Sequence, residues 1–443
     1  MGESVVSFPR YPAYKDSGVE WLGYVPVDWA VKRIGYFFNE RREKVSDKDY
    51  PALSVTKSGI VPQLDTAAKS DDSDNRKRVC KGDFVINSRS DRKGSAGASD
   101  LDGSVSLICT VMRPQETVHT PFVHHLLRSV PFQEEFYRNG KGIVADLWST
   151  NYSEMRNILL GMPPLPEQTR IATFLDREAA KIDGLVAEQQ RLIDLLKEKR
   201  QAVISHAVTK GLNPHAPLKP SGIEWLGDVP EHWMVLPLHR VVQERRRITY
   251  GIVQPGEPDP TGRFMVRGQD YSTGWSNPDS IFRVSDAIEV PYQRARLRSG
   301  DLVITIVGAG VGNIAVVPDW LDGANITQTT ARIAVDPRKA NPEFVAGVLQ
   351  GPIGKRSVEL YAKGAAQPGL NLEHVRIFPV TVPPIDEQRQ IAAFIHRETS
   401  RLDALTAEAE RGIELLQERR AALISAAVTG QIDVRGLAET EAA

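Results

Sequence analysis

The stretch Pro163-Pro164-Leu165-Pro166-Glu167-Gln168 opens a long charged and apolar run that ends Ala207-Val208-Thr209-Lys210. It returns 220 residues later, without a gap, as Pro383-Pro384-Ile385-Asp386-Glu387-Gln388 through Ala427-Val428-Thr429-Gly430, with about half of the positions identical. A period this long is a duplicated domain unit, not a solenoid repeat. Each copy reads as one helix. Prolines stand at the entrance, where a missing N–H costs nothing, and a glycine, Gly211 or Gly430, stands where a C-terminal cap belongs. Asp386 is the expected N-cap of the second copy.

Inside the first copy, Ile182, Leu185, Gln189, Leu192, Leu196, Lys199 and Val203 alternate at spacings of three and four. Leu402, Leu405, Ala409, Gly412, Leu416, Arg419 and Leu423 repeat the pattern. The apolar members, Ile182, Leu185, Leu192, Leu196, Val203, Leu402, Leu405, Leu416 and Leu423, predict the seam of a short coiled coil. An ordinary amphipathic helix on its own domain is the alternative. A helix of roughly 40 residues is about 60 Å long, which suits a spacer between globular heads.

Working outward, a second repeat precedes each helix by about 150 residues. Ser17-Gly18-Val19-Glu20-Trp21-Leu22-Gly23, with Val25-Pro26 and Trp29, returns as Ser221-Gly222-Ile223-Glu224-Trp225-Leu226-Gly227, with Val229-Pro230 and Trp233. Its offset is 204 residues, so the second head is 16 residues longer than the first (220 minus 204). Gly, Pro and Trp in this arrangement read as a packed turn rather than a site. Phe84-Val85-Ile86 and Val105 to Met112 read as strands of the first head, and Phe122 to Arg128 and Pro131 to Arg138 as short helices. Leu302 to Val307, Ile333 to Val335 and Phe344 to Leu349 read likewise in the second.

The expected fold is α+β. Two globular mixed α/β heads are separated by two long antiparallel coiled-coil helices, with an internal pseudo-twofold repeat. The expected order is a first head over 1–162, a helix over 163–211, a linker over 212–220, a second head over 221–382, a helix over 383–430 and an acidic tail over 431–443. The linker is short and carries three prolines, Pro214, Pro217 and Pro220. Antiparallel return buries both apolar seams.

The 443 residues are 41% hydrophobic and 25% charged with a net charge of −1, which suits a soluble globular protein of two or three domains. No leading apolar segment and no apolar run of about 18 residues is present, so a cytoplasmic chain is expected. Cys80 and Cys109 read as small core residues. Residues 30–150 hold 19 Lys/Arg against 16 Asp/Glu, and residues 235–370 hold 16 against 13, a surplus of three in each head. That surplus permits nucleic-acid binding without demonstrating it.

Catalytic motifs fail one by one. Gly308-Ala309-Gly310-Val311-Gly312-Asn313 misplaces the third glycine of a dinucleotide loop, and Gly351 to Ser357 has the wrong spacing for a P-loop. No Asp/Asn-Pro-Pro-Tyr segment and no His-Glu-x-x-His pair occurs, and His124-His125 reads as packing and surface. A chain without catalytic activity is the expectation. An enzyme with an unrecognised site, and a protein scaffold that binds no DNA, are the competing classes.

The doubled order of Ser-Gly-Val/Ile-Glu-Trp-Leu-Gly openings and Pro-Pro-Leu/Ile-x-Glu-Gln-x-x-Ile-Ala-x-Phe helix starts resembles the specificity subunit of type I restriction-modification systems. Gly364 to Leu372 also looks like that family, while the first copy departs from it at Gly142 to Asn151. The resemblance implies two target-recognition domains, each reading half of a bipartite double-stranded DNA target. It implies helices that set the gap and dock methyltransferase (modification) subunits, two of them, with restriction subunits as further partners. S-adenosylmethionine, ATP and Mg would then sit on partner subunits, with no cofactor, metal or catalytic residue on this chain and no membrane association. Phosphates want Lys, Arg and backbone N–H groups; base edges want Arg, Asn or Gln. The DNA-contact candidates are Arg76, Lys77, Arg78, Asn87, Arg89, Arg92, Lys93 and Lys141 in the first head. In the second they are Arg267, Gln269, Arg294, Arg296, Asn313, Lys363 and Gln367.

Overall fold

The computed structural model describes residues 8–64, 74–89, 92–142, 148–364 and 368–437. The chain is mixed α/β, and its longest elements are the helices Leu165–Lys210 and Ile385–Val428. Contacts group it into two units, Met1–Gln190 with Glu410–Ala443, and Arg191–Ala409. Each unit therefore takes the start of one long helix and the end of the other.

In the first unit the alternating apolar strand Phe84–Asn87 is central to an antiparallel sheet ordered Ala96–Ala98, Phe84–Asn87, Cys109–Pro114, Phe38–Glu40. Gly103–Val105, Arg76–Val79 and Lys44–Val45 make a separate three-stranded sheet. The stretch expected as one strand from Val105 to Met112 is thus two, divided by a turn in which Cys109 N–H donates to Ser106 O. The chain must turn there because its two halves belong to different sheets. The helices Thr120–Leu126 and Val130–Arg138 close the core with Phe122, Phe132 and Phe136, all fully buried. Ile171, Phe174 and Leu175 from the first long helix, and Leu423, Ala427 and Val428 from the second, complete it. Cys109 is buried and Cys80 half-buried, both as free thiols.

The second unit repeats the plan. Its antiparallel sheet runs Thr249–Tyr250, Thr330–Ile333, Leu302–Thr305, Ile314–Val316. The helix Pro342–Gln350 covers it with Phe344 and Val348, and Ile204, Ala207 and Val208 meet Ile391 and Ala392 in the same core.

The repeated tryptophans explain the repeated Glu-Gln. Trp29 is fully buried and its indole N–H donates to Glu167 Oε1 at 2.9 Å; Trp233 donates to Glu387 Oε1 at 3.1 Å. Gln168 accepts from His119 N–H at 2.8 Å and donates to Thr117 O and Pro163 O. Gln388 accepts from Asn341 N–H at 2.8 Å and donates to Pro383 O. In the first unit Tyr11 O–H also donates to Glu167, at 2.8 Å; burial first, then this bond, raises its pKa well above the usual phenol range. The glycines that end the helices pack on the same tryptophans. Gly430 has φ +76°, and a Cβ there would stand 2.4 Å from Pro26 Cδ and 3.3 Å from Trp29 Cη2. At Gly211, with φ +74°, it would meet Trp233 Cζ2 at 3.1 Å. The second helix begins at Ile385, so Asp386 is not its N-cap. It lies in the first turn, paired with Arg389 at 3.0 Å, where a carboxylate complements the helix dipole.

Beyond Gly430, Val434 is buried in the first unit and Asp433 N–H donates to Pro9 O at 2.7 Å. Residues 431–437 thus pack on the head, where Asp433 holds the Arg435 guanidinium 4.7 Å from the Tyr11 ring.

The buried stripe of the long helices keeps half of the expected frame. Ile182, Leu196, Leu402 and Leu423 are buried, and Val203 and Leu416 half-buried. Leu185, Leu192 and Leu405 are instead exposed, at 52%, 43% and 42%. Their expected places are taken one residue later by Val186, Ile193 and Thr406, and Arg200 and Arg420 replace Lys199 and Arg419. The spacing is four-then-three rather than three-then-four in both copies. Ion pairs select this face. Arg420 meets Asp183 at 3.1 Å in the first unit, and Arg200 meets Asp403 at 2.9 Å in the second.

Glu167→Ala removes the acceptor of two buried donors, so unfolding in urea should shift to lower concentration by about 2–4 kcal/mol of stability. A midpoint within error of the unmodified chain would refute the role given to Glu167. A methyl group added to the helical Gly412 would have nothing within 4 Å. Gly412→Ala should accordingly stabilise by about 0.5–1 kcal/mol, whereas Gly430→Ala should destabilise in the same titration.

Candidate nucleic-acid interface

Three of the first head's candidate cations are committed to the fold. Arg76 is 5% exposed, and its guanidinium donates to Ser104 Oγ at 2.9 Å and Ser104 O at 3.0 Å. Lys77 donates to Cys109 O at 2.8 Å and stands 3.7 Å from Glu40. Arg78 pairs with Glu43 at 2.8 Å, which raises its pKa, and covers the Tyr50 ring. They sit on one strand, Arg76–Val79, whose pairing on both sides gives each side chain a local partner.

The other first-head candidates gather on loops at the end of the central strand. Asn87 is the last residue of that strand and accepts from Arg89 N–H at 3.1 Å. Arg89, Arg92 and Lys93 follow, all exposed, with Lys93 paired to Glu134 at 2.7 Å. Lys141, also exposed, stands 3.3 Å from Glu154. Arg89 and Lys141 both bridge to Ser149 through their backbones. The second head keeps these bridges, with Val307 and Lys363 both joined to Gly369. Thr150 N–H donates to Ser88 O, as Leu370 N–H does to Ile306 O. The backbone arrangement therefore survives where the two sequences have diverged.

In the second head Arg267, Gln269 and Asn313 line one open cavity of about 530 Å³, with Thr305, Thr327 and Gln328. Its wall includes Thr305, the last residue of the central strand Leu302–Thr305, and Gly310 of the glycine turn behind it. Arg267 is held by Asp270 at 3.1 Å, and Gln269 is exposed. Arg294 and Lys363 are exposed, while Arg296 is clamped on fully buried Glu289 at 2.6 Å. The Arg296 hydrogen bond holds that carboxylate's pKa below its ordinary value. Arg296 thus belongs to the framework. Gln367 lies outside the described residues.

No family model matches the chain. It is 27% identical over 289 residues to the type I restriction enzyme EcoBI specificity subunit of Escherichia coli, a match covering 64% of this chain and 60% of that relative's own length. It is 22% identical over 432 residues to the MjaVIII specificity subunit of Methanocaldococcus jannaschii, covering 93% of this chain and 95% of that one. The chain is thus similar to type I specificity subunits over most of its length. A chain solved in a study of complex assembly and conformational transition of the type I R-M system shares the fold at a TM-score of 0.68 and 18% identity, covering 91% of this chain and 98% of that one. The HsdS subunit of Thermoanaerobacter tengcongensis does so at 0.51 and 18%, covering 92% and 98%.

Framework pairs of this chain went unnoticed in its sequence. Buried Asp83 takes Arg41 bidentately at 2.7 and 3.1 Å, and buried Asp301 takes Arg246 at 2.8 and 2.5 Å. The signal was the Gly82-Asp83 and Gly300-Asp301 repeat, whose partners are 42 and 55 residues away in sequence. Also unnoticed were Lys57 and Arg128, which line a separate cavity of the first unit.

Arg76→Gln should lower unfolding stability by about 1–3 kcal/mol, because it leaves buried acceptors unpaired. Arg294→Gln, on an exposed side chain, should stay within about 0.5 kcal/mol. Thermal melts of the two variants test the division into framework and free cations; equal losses would remove it.

Proposed function

We propose that the chain is the DNA-reading subunit of a type I restriction-modification complex, without catalytic activity of its own. The observation that carries this reading is the duplication of one framework under two different loop sets. The Trp–Glu latch, the Gln clamp, the buried Arg–Asp pair and the backbone bridges recur in both units. The polar side chains at the ends of the central strands differ: Asn87, Arg89 and Arg92 in one, Arg267, Gln269 and Asn313 in the other. Repeated supports beneath different donor and acceptor sets suit two readers of two different half-sites in one bipartite duplex.

The two heads are target-recognition domains in this reading, related by a pseudo-twofold. The long helices form one antiparallel pair that sets the gap between half-sites, supported locally by the Asp183–Arg420 and Arg200–Asp403 pairs. The exposed leucines Leu185, Leu192, Leu195, Leu405 and Leu415 give the helices an outward apolar stripe, suited to docking two methyltransferase subunits. S-adenosylmethionine, with ATP and Mg where a restriction subunit joins, would be bound by those partners.

Replacing residues 30–150 with the corresponding segment of another specificity subunit should change one half of the methylated sequence and leave the other intact. Simultaneous change of both halves in methylation sequencing would rule out independent readers. Inserting seven residues after Leu196 and seven after Leu416 adds about 10 Å to each helix in frame. At roughly 3.4 Å per base pair, the gap between half-sites should lengthen by about three base pairs. An active variant with an unchanged gap would exclude the helices as the ruler.

A further inference from the structure

One cavity of the first unit, about 370 Å³, is walled largely by cations. Lys57, Lys93, Arg128 and Arg420 line it, together with His124 and His125. Their carboxylate partners are unequal in number. Arg420 has Asp183 at 3.1 Å, Lys93 has Glu134 at 2.7 Å, and His125 has Asp176 at 2.7 Å. Lys57 and Arg128 pair with no carboxylate among the described residues. Arg128 is half-buried, and its guanidinium hydrogen-bonds, among the described residues, to His124 Nε2 and the Lys57 carbonyl oxygen. Burial, then Arg420, lowers the Arg128 pKa, and burial first lowers that of His124 to about 4, so the imidazole supplies no counter-charge of either sign. A guanidinium beside a second guanidinium, short of water and without an anion, is a place for an anion to bind.

The internal repeat separates this cluster from ordinary framework. Arg420 and Asp183 match Arg200 and Asp403, so that pair is common to both units. Phe122-Val123-His124-His125-Leu126-Leu127-Arg128 aligns with Phe344-Val345-Ala346-Gly347-Val348-Leu349-Gln350. The second unit thus holds Gln350 where the first holds Arg128, and Gln350 merely donates to Ile314 O at 3.1 Å. Arg128 is therefore an addition to the first unit that the shared fold does not require.

We propose that Lys57 and Arg128, backed by Arg420, bind a backbone phosphate of the DNA duplex. The assignment rests on the DNA-reading function above. Lys93 and Gly94 line the same cavity and are the last residues of the basic loop that leaves the central strand at Asn87, so the cavity continues that loop surface. Phosphate is the anion a duplex presents beside any base-reading loop, and a guanidinium in a cavity that a lysine also lines suits its oxygens. The interaction carries affinity and register but no sequence information.

The test uses the full chain assembled with its methyltransferase subunits, and Arg128→Gln, Lys57→Gln and the double variant. Arg128→Gln installs the residue that the second unit tolerates at the matching place, and thermal melts accompany each variant. Binding is measured on the target duplex and on a scrambled duplex between about 50 and 200 mM KCl. The double variant should lose roughly tenfold on both duplexes alike. The slope of log K against log salt should flatten by about 0.9 for each phosphate no longer neutralised. Unchanged slope and affinity in a folded variant would overturn the assignment. So would a loss confined to the target duplex, which would make these residues base readers, or a loss confined to methyltransferase assembly, which would make the anion a partner's carboxylate. Failure of the unmodified complex to bind either duplex would instead sink the DNA-reading function, and the phosphate site with it.

Discussion

The structure depends on a carboxylate that accepts from a buried indole. Glu167 and Glu387 stand at the entrances of the two long helices, each facing a tryptophan supplied by the preceding head. A carboxylate there complements the helix dipole and satisfies a donor that an apolar core would otherwise leave unpaired. The neighbouring glutamine ties the same turn to the loop ahead of the short helix. Because the terminal glycine of the other long helix packs on the same ring, the indole joins a head to the start of one helix and the end of the other. A larger residue than glycine has no room there, which explains why a glycine meets the ring in each unit although Gly430 and Gly211 stand one position apart in the repeat.

Most of this architecture was legible because it is repeated. Two copies of Pro-Pro-x-x-Glu-Gln and of the Trp motif marked the helix starts and the heads, and glycine with positive φ ends both helices as its position suggested. The heptad period was legible too, but not its face. Leu185 and Val186 are both apolar and lie on opposite sides of Ile182, so hydrophobicity alone does not choose between them. The choice is made by Asp183 and Arg420, whose proximity requires knowing which helix faces which. Arg76, Lys77 and Arg78 misled for a related reason: a cluster of three cations in sequence reads as a surface, whereas on a paired strand each neighbour points elsewhere and finds its own acceptor. Arg89 and Arg92 are exposed on the loop that leaves the central strand, where polar residues have few places to go but outward.

Between the two heads, the order of the four-stranded sheet, the latches and the bridges match, while the side chains at the ends of the central strands and at Arg128 differ. A fold that holds its loop ends by backbone hydrogen bonds, as at Ser149 and Gly369, can exchange the side chains in between without repacking the sheet. The scaffold is thereby insulated from the identity of what the loops carry.

The packing of residues 431–437 on Pro9 and Tyr11 has a consequence for synthesis. The second unit is one uninterrupted stretch of chain, but the first is completed by residues 410–443. About 220 residues, from Gln190 to Glu410, therefore separate the first head from the segment that covers Trp29. At about 5–20 residues added per second, the emerging polypeptide carries an uncovered apolar surface made by Ile171, Phe174, Leu175 and Trp29 for roughly 10–45 s. The amino-terminal head is translated first but matures last, and during that interval it is the part of the nascent protein open to chaperones and to mispairing with other growing chains.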